Sequence, residues 1–332
     1  MKKWLLAVLL LSLLTGCGAQ SAEPADSVSD ELIVVGLSQL GAESDWRVAN
    51  SESMRQIFTE KNGYQLIYED AKQKQENQIA AVRNFIQQDV DYIVMMPIVE
   101  DGWDSVLLEA YEAKIPVVLV DRTVNVSDGR LYTTHIGSDF YKESQMAVEW
   151  LEQRLSQDGR ENDALNIVHI QGTPGASAQI GRTKGLEEAV AAHENWQLTA
   201  QENGDFTQPK TYEVMTQILA QMEPGAKIDV VYCENDNMAF GAIEALEEYG
   251  YSVGGDDGVI VICFDATHTG LQYCLDGKIA YIVECNPLLG DLVDQTIRKL
   301  EKGEAVSKEQ FIPEQGFARA DLTQTLIDSR PY

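Results

Sequence analysis

Two kinds of segment alternate along the chain. Short runs that are apolar throughout predict buried strands, because strands covered on both faces of a parallel sheet have no polar side. These runs are 32–37, 64–68, 92–96, 116–121, 165–170, 228–233, 259–264 and 281–285. Longer segments with apolar residues on one face predict helices. These are 46–61, 74–88, 104–113, 139–157, 177–192, 209–222, 236–249 and 288–301.

This alternation predicts an α/β protein with parallel sheets covered by helices on both faces. There are too many strands for one Rossmann unit, and the pattern restarts at residue 139. We therefore expect two similar Rossmann-like lobes. Ligands of such sheets bind outside the carboxyl ends of the strands, so the residues that follow each strand are the candidates for a site.

The first 16 residues predict a signal peptide for export. A positive start and an apolar run from Trp4 to Leu14, too short to span a membrane, precede Thr15-Gly16-Cys17. That order is typical of bacterial lipoproteins, so we expect acylation of Cys17 and attachment to a membrane by its acyl chains. The alternative is an ordinary secretory peptide that ends near a cysteine. Residues 17–30 are small, polar and acidic, which predicts a flexible tether.

Composition excludes several classes of ligand. With 53 acidic and 25 basic residues the net charge is −28, which opposes binding to nucleic acid and to anionic lipid headgroups. The cysteines after Cys17 show no CxxC spacing and histidine is rare, so we expect no metal and no cofactor. Cys233, Cys263 and Cys285 lie in apolar runs, where buried thiols are expected, although an exported protein permits a disulfide.

Carboxylates, arginines, amides and tryptophans follow the predicted strands. Carboxylates accept hydrogen bonds from sugar hydroxyls, arginines donate to sugar oxygens, and an aromatic face packs on the C–H face of a sugar. Each residue also has a structural alternative. Trp46 and Trp103 would then be core residues, and Asp121-Arg122 would be a local ion pair. Arg182 would lie on a solvated helix face, and Asn235 would be a helix N-cap.

Several stretches resemble the ribose-type, or type I, periplasmic sugar-binding proteins of ABC importers, and among them the galactofuranose-binding members of enteric bacteria. They include GLSQLGAESDWR, QKQENQIAAVRNFI, IPVVLVDR, IQGTPGASAQIGRTKG, NGDFTQPK and YCENDNM, within about residues 33–285. The resemblance implies two lobes joined by three crossing strands, near His135–Ser138, Glu284–Asn286 and Glu314–Gly316. Lobe 1 would comprise 31–136 plus 286–314, and lobe 2 would comprise 137–285 plus 315–332.

The resemblance also implies a monosaccharide ligand held by hinge closure and passed to an ABC permease, by a monomer outside the cell membrane. Asp45, Ala266 and Asn286 depart from the galactofuranose pattern, so galactofuranose and a related furanose or pyranose all stay open. The implied sugar contacts are Glu43, Ser44, Asp45, Trp46, Arg47, Asp121, Arg122, Arg182, Asn235 and Asp265. Further possible contacts are Gln39, Trp103 and Asn286.

Three other functions share this fold or this residue chemistry. A glycosidase would use paired carboxylates such as Asp121 and Asp265, but Arg122 and Arg182 should keep them ionised, which does not suit a general acid. We therefore expect no catalysis. A repressor of this fold would begin with DNA-binding helices where this chain has a signal peptide. A sugar receptor for a sensor kinase or chemotaxis system stays open, because the same closed shape would serve either partner.

Overall fold

Twelve strands form two separate six-stranded sheets in the computed structural model, which describes residues 32–223, 226–255 and 257–332. The predicted signal peptide, the tether and Cys17 lie outside these residues. In the first sheet the strands are β1 Ile33–Gln39, β2 Tyr64–Asp70, β3 Tyr92–Met95, β4 Val117–Val120, β5 Thr134–Gly137 and β11 Glu309–Phe311. In the second they are β6 Leu165–Gln171, β7 Trp196–Asn203, β8 Val230–Cys233, β9 Ile260–Asp265, β10 Tyr281–Glu284 and β12 Gly316–Ala318.

The two sheets have equivalent strand orders, β2-β1-β3-β4-β5-β11 and β7-β6-β8-β9-β10-β12. All neighbouring strands are parallel except β10 and β12, which are antiparallel. In each sheet the chain reverses its direction of winding beside the first strand, β1 or β6. Such a reversal opens a crevice at the carboxyl ends of the strands, where ligands of this architecture bind.

Helices cover both faces of each sheet. They are α1 Asp45–Ile57, α2 Gln75–Gln87, α3 Asp104–Glu112, α4 Phe140–Gln157, α5 Ser177–Ala192, α6 Gln208–Gln221, α7 Asp236–Glu248, α8 His268–Leu275, α9 Gly290–Glu301 and α10 Gln324–Asp328. Alternate strand residues enter opposite cores, as Val94 and Ile93 of β3 do. The strands are apolar throughout because both of their faces are buried. Among the described helices, none has the length and apolarity needed to cross a membrane.

The chain crosses between the lobes three times, at 138–139, 285–289 and 312–315. Each crossing contributes one residue to a common contact. Ser138 Oγ donates to Glu314 Oε1 at 2.6 Å and lies 3.2 Å from Cys285 Sγ. After the second crossing, α9 returns to the first lobe, where Val293 and Ile297 join its core. The predicted fold of two α/β lobes with a three-strand hinge is confirmed.

All eight predicted strands and all eight predicted helices are present, but β5, β7, β11, β12, α8 and α10 were not predicted as elements. The strand β7 lies at a sheet edge and buries only Trp196 fully, so its sequence has no continuous apolar run. The strand β5 has only four residues and was predicted as part of a crossing. In the described part of the chain, Cys233, Cys263, Cys274 and Cys285 are buried free thiols.

Candidate functional site

A cavity lies between the lobes, where the carboxyl ends of both sheets meet. Both lobes contribute to it, and its walls are mostly charged, aromatic or amide side chains. The lining residues are Glu43, Ser44, Trp46, Arg47, Asp121, Arg122, Phe140, Ala178, Arg182, Phe206, Asn235, Asp265 and Cys285.

Local structure at the strand ends directs these side chains inward. Ser44 caps α1 by accepting a hydrogen bond from the Arg47 backbone N–H at 3.2 Å, and Trp46 and Arg47 stand in the first turn of that helix. Asp121 follows β4 and Asp265 ends β9, with φ angles of +64° and +91°. Aspartate is among the few residues that adopt this left-handed backbone, which costs about 1–3 kcal/mol and is concentrated at functional sites.

In the first lobe, two arginines share one carboxylate. Arg47 donates to Glu43 through Nε at 3.2 Å and to Asp121 through Nη2 at 2.5 Å. Arg122 donates to the same oxygen of Glu43 at 3.1 Å and to the Ile98 carbonyl at 3.1 Å. All four charged side chains are at least 95% buried, so the pairs are little screened by solvent.

In the second lobe, one arginine connects three acceptors. Arg182 donates through Nε to Glu143 at 2.7 Å, and its Nη2 lies 3.5 Å from Asp265. Its Nη1 donates to the Glu234 carbonyl. The guanidinium also lies 4.6 Å from the ring centre of Phe264. Arg182 is 2% exposed, so it is not a solvated helix residue.

Two buried nitrogens of the lining arginines have no hydrogen-bond acceptor among the described residues. They are Nη1 of Arg47 and Nε of Arg122. A buried donor without an acceptor costs about 1–3 kcal/mol, and more when it is charged. The lining also contains three arginines and three acidic residues, so the formal charges balance. The cavity is therefore suited to a neutral ligand that is rich in hydrogen-bond acceptors.

The carboxyl groups of the site differ in their pKa. Burial alone would raise the pKa of Glu43, but Arg47 and Arg122 together outweigh it and the pKa lies below its ordinary value. Burial raises the pKa of Asp265 well above its usual range, and Arg182 offsets only part of that rise. Asp236 and Glu143 add negative charge nearby, so the pKa of Asp265 is shifted opposite to the direction that Arg182 alone would give.

Three aromatic side chains contribute to the walls. Trp46 is 4% exposed and donates through its indole N–H to the Cys285 carbonyl at 2.5 Å. Phe206 lies opposite Arg122, whose guanidinium is 5.0 Å from the ring centre. The Phe206 ring depends on Gly172, since a Cβ there would lie 1.9 Å from the ring. Phe140 begins α4 on the same side as Arg182.

Contacts between the lobes show that this is a closed conformation. The Asp45 backbone N–H donates to Asn237 Oδ1 at 3.1 Å, and Asn237 Nδ2 donates back to the Asp45 carboxylate at 3.2 Å. On the opposite side of the cleft, the Glu100 backbone N–H donates to the Gly175 carbonyl at 2.8 Å. The Thr123 N–H donates to Ser177 Oγ at 3.1 Å. These contacts and the buried arginines close the cavity from two sides.

Nine of the ten residues named from the sequence line the cavity, and Asp45 does not. Asp45 instead makes the contact with Asn237 at the rim. Asn235 lines the cavity and is also the N-cap of α7, accepting from the Met238 N–H at 2.8 Å. One amide hydrogen of Asn235 goes to the Phe206 carbonyl at 3.2 Å, which leaves the other for a ligand. That these residues bind a sugar stays a prediction.

The three further candidates lie outside the cavity. Gln39 donates to Asn50 at 3.2 Å and to Ser51 at 3.0 Å within its own lobe. Trp103 is fully buried in the core beneath α3, where its indole N–H donates to the Val99 carbonyl at 2.7 Å. The Asn286 side chain accepts from the Leu288 N–H at 2.9 Å and shapes the second crossing.

Four lining residues were missed by reasoning from strand ends: Phe140, Ala178, Phe206 and Cys285. The first two lie in the opening turns of α4 and α5, and an apolar residue there looks like any other core position. The sequence did carry a signal for Phe206, which lies in the stretch NGDFTQPK. Cys285 follows β10 and was read only as a buried thiol.

Comparison with known proteins identifies the family. The profile described as "Periplasmic binding protein domain" matches residues 35–304. The galactofuranose-binding protein YtfQ of Escherichia coli (strain K12) is 37% identical over 270 residues, covering 81% of this chain and 82% of that protein.

Two solved structures are similar over most of the chain. One, from Mycobacterium smegmatis in complex with β-D-fucofuranose, is 41% identical with a TM-score of 0.81, covering 87% of this chain and 92% of that chain. The other is the periplasmic binding protein component of the arabinose ABC transporter from Shewanella sp. ANA-3, bound to α- and β-L-arabinofuranose. It is 36% identical with a TM-score of 0.80, covering 86% of this chain and 92% of that chain. The chain therefore belongs to the periplasmic binding protein family, in its type I sugar-binding branch.

Proposed function

We propose that this chain binds a neutral monosaccharide in its furanose form between the two lobes, without chemically changing it. The observation that carries the proposal is the pair of unpartnered arginine nitrogens, on Arg47 and Arg122, beside a closed and charge-balanced cavity. Hydroxyl and ring oxygens of a sugar would accept from both donors. The furanose form is supported by the similar structures, which hold fucofuranose and arabinofuranose.

The proposed mechanism is closure about the three crossing segments. Arg47, Asp121 and Arg122 reach the ligand from one lobe, while Arg182 and Asp265 reach it from the other. Only the closed form offers both sets of contacts, so the sugar shifts the population toward it. We propose that the closed monomer delivers the sugar to the permease of an ABC importer, a role supported by the Shewanella transporter component.

The proposal includes attachment to the outer face of the cell membrane through acylated Cys17, supported by the sequence that precedes it. Replacing Cys17 by serine is expected to move the protein from the membrane fraction to the soluble fraction, because a serine at this position takes no thioether-linked lipid. Fractionation and immunoblotting of cells that express each form provide the measurement. A serine variant that stays in the membrane fraction would show that Cys17 is not the anchor.

A panel of sugars tests the binding proposal. L-Arabinose, D-fucose and D-galactose form furanose rings in solution, whereas L-arabinitol carries similar hydroxyls but forms no ring. At 100 times its Kd a ligand stabilises the folded state by about 2.7 kcal/mol. We expect at least one of the three sugars to raise the melting temperature by roughly 5 °C and arabinitol to leave it unchanged. No shift with any sugar, or turnover of aryl furanosides, would contradict a binding role.

A further inference from the structure

A buried cluster lies where the three crossing segments meet, next to the cavity but outside its lining for the most part. It contains Ser138, Cys285 and Glu314 from the crossings and Glu143 from the first turns of α4. One ligand atom each of Glu143, Cys285 and Glu314 lies within 4.8 Å of the others. Two carboxyl groups thus face each other at the point about which the lobes move.

The hydrogen bonds of this cluster leave one atom without a donor. Glu314 Oε1 accepts from Ser138 Oγ at 2.6 Å and from the Asn286 backbone N–H at 3.1 Å. Glu143 Oε2 accepts from Arg182 Nε at 2.7 Å. Glu143 Oε1 is buried and has no donor among the described residues when both carboxyls are ionised. Among the described residues, the Glu314 carboxyl and the Cys285 thiol both contact the Glu143 side chain and can supply a proton to it. A thiol is a weak donor, so the Glu314 carboxylic acid is the stronger candidate.

The carboxyl groups of Glu143 and Glu314 are linked to the cavity through Arg182. Glu143 holds the Nε side of that guanidinium, while the Nη2 side lies 3.5 Å from Asp265. If Glu143 were drawn away, Arg182 would lose the contact that fixes its orientation. The position of a residue in the third crossing is thus linked, through one side chain, to a cavity arginine.

We propose that Glu314 is a positioning residue: as a neutral carboxylic acid it donates to Glu143, so that Glu143 can hold Arg182 in the cavity. The effect on sugar binding rests on the proposed function, whereas the shared proton does not.

The other charged and titratable groups around Glu143 and Glu314 are compatible with one proton shared between these two carboxyl groups. Arg182 is the nearest cation, and Asp265, Cys285 and Tyr232 face Glu143 from the neighbouring elements. Asp139 and Lys142 line a separate groove together with Glu143 and Glu314. A divalent cation fits less well, because hydrogen-bond donors already occupy Glu314 Oε1 and Arg182 occupies Glu143 Oε2.

The pKa values agree with this geometry. Burial, followed by the charge of Glu143, raises the pKa of Glu314 from 4.5 to about 10, and burial also raises the pKa of Glu143. A carboxyl whose pKa is raised on folding keeps its proton while the unfolded chain releases it. Its contribution to stability is therefore complete below pH 4.5 and declines as the pH rises toward 10.

Glu314→Gln tests the shared proton, because the amide keeps an acceptor for Ser138 and Asn286 and supplies a permanent donor to Glu143. Glu304→Gln, at an exposed position of the same lobe, is the matched control for loss of one carboxylate. Thermal melting of each sugar-free protein from pH 5 to pH 9 provides the measurement. The advantage of Glu314→Gln over wild type should grow with pH, by up to about tenfold in the unfolding equilibrium constant per pH unit.

Two outcomes would overturn the proposal. One is a difference between Glu314→Gln and wild type that does not change with pH, as a purely structural role predicts. The other is an infrared carboxylic-acid band at pH 8 that is as strong in Glu314→Gln as in wild type.

Binding of L-arabinose at pH 7.5 tests the positioning role. Glu314→Ala should weaken it about tenfold, by loss of a hydrogen bond to a charged group, and Glu314→Gln should restore it. Equal weakening by both variants would contradict a role for the donor. If no sugar binds, the proposed function fails, yet the melting curves and the infrared band still decide whether the proton is shared.

Discussion

Replacing Arg182 by lysine is expected to weaken sugar binding by about 100-fold, or roughly 2.7 kcal/mol, in a protein that still folds. Arg182 uses three nitrogens at once, toward Glu143, the Glu234 carbonyl and Asp265. A lysine keeps the charge but offers one compact ammonium in place of a planar fork, so it cannot contact all three acceptors at once. Hydrogen bonds to charged groups are worth about 1.5–3 kcal/mol each. Isothermal calorimetry with the best sugar of the panel provides the measurement.

The control for Arg182 is Arg83→Lys. Arg83 forms a forked pair with Glu109 in the first lobe, but this pair is exposed and outside the cavity. Exposed pairs contribute about 0–1 kcal/mol, so this variant should bind sugar as wild type does. Equal affinity of Arg182→Lys and wild type would show that the fork makes no contribution to binding.

Replacing Trp46 by alanine is expected to weaken binding by about 100-fold as well. The indole is 4% exposed, packs among core residues of the second lobe although it belongs to α1, and donates to Cys285 in a crossing segment. Removing a buried tryptophan costs about 3–5 kcal/mol. Because these contacts join the lobes, we expect most of the cost to fall on the closed form. Calorimetry gives the loss of affinity, and thermal melting of the sugar-free protein gives the loss of stability.

The variant Trp103→Phe separates a loss of sugar affinity from a loss of stability. Trp103 is also a buried tryptophan whose indole donates to a carbonyl, but it lies in the core of the first lobe and away from the cavity. Its replacement should lower the melting temperature without changing the Kd for sugar. If Trp46→Ala behaved in the same way, Trp46 would be a core residue and not part of the site.

The fold and the main part of the site were predictable because both follow from short-range rules. Apolar runs predict the strands, and parallel strands bring their carboxyl ends to one edge of a sheet. Asp121 and Arg122 are thereby placed at that edge in the first lobe, and Asp265 at the corresponding edge in the second. The same rule placed Glu43 and Arg182 in the loops and helices that begin there. The resemblance to a known family then predicted how the two lobes face each other, which strand order alone does not specify.

The features of the site that the sequence did not predict depend on packing between distant segments. Trp103 follows a strand as Trp46 does, and only the position of the Val99 carbonyl decides that its indole turns into the core. Phe206 enters the cavity because Gly172, 34 positions earlier, leaves space for the ring. The raised pKa of Asp265 follows from its burial near Asp236 and Glu143, which no sequence pattern reveals.

The ring form of the bound sugar tests the account most directly. Free aldoses are mainly pyranoses in water, and the anomeric carbon gives separate NMR signals for each ring form. We expect L-arabinose labelled with ¹³C at C1 to show furanose signals when bound to this protein, in excess over their share in free solution. Bound signals from the pyranose alone would contradict selection of a furanose by this cavity.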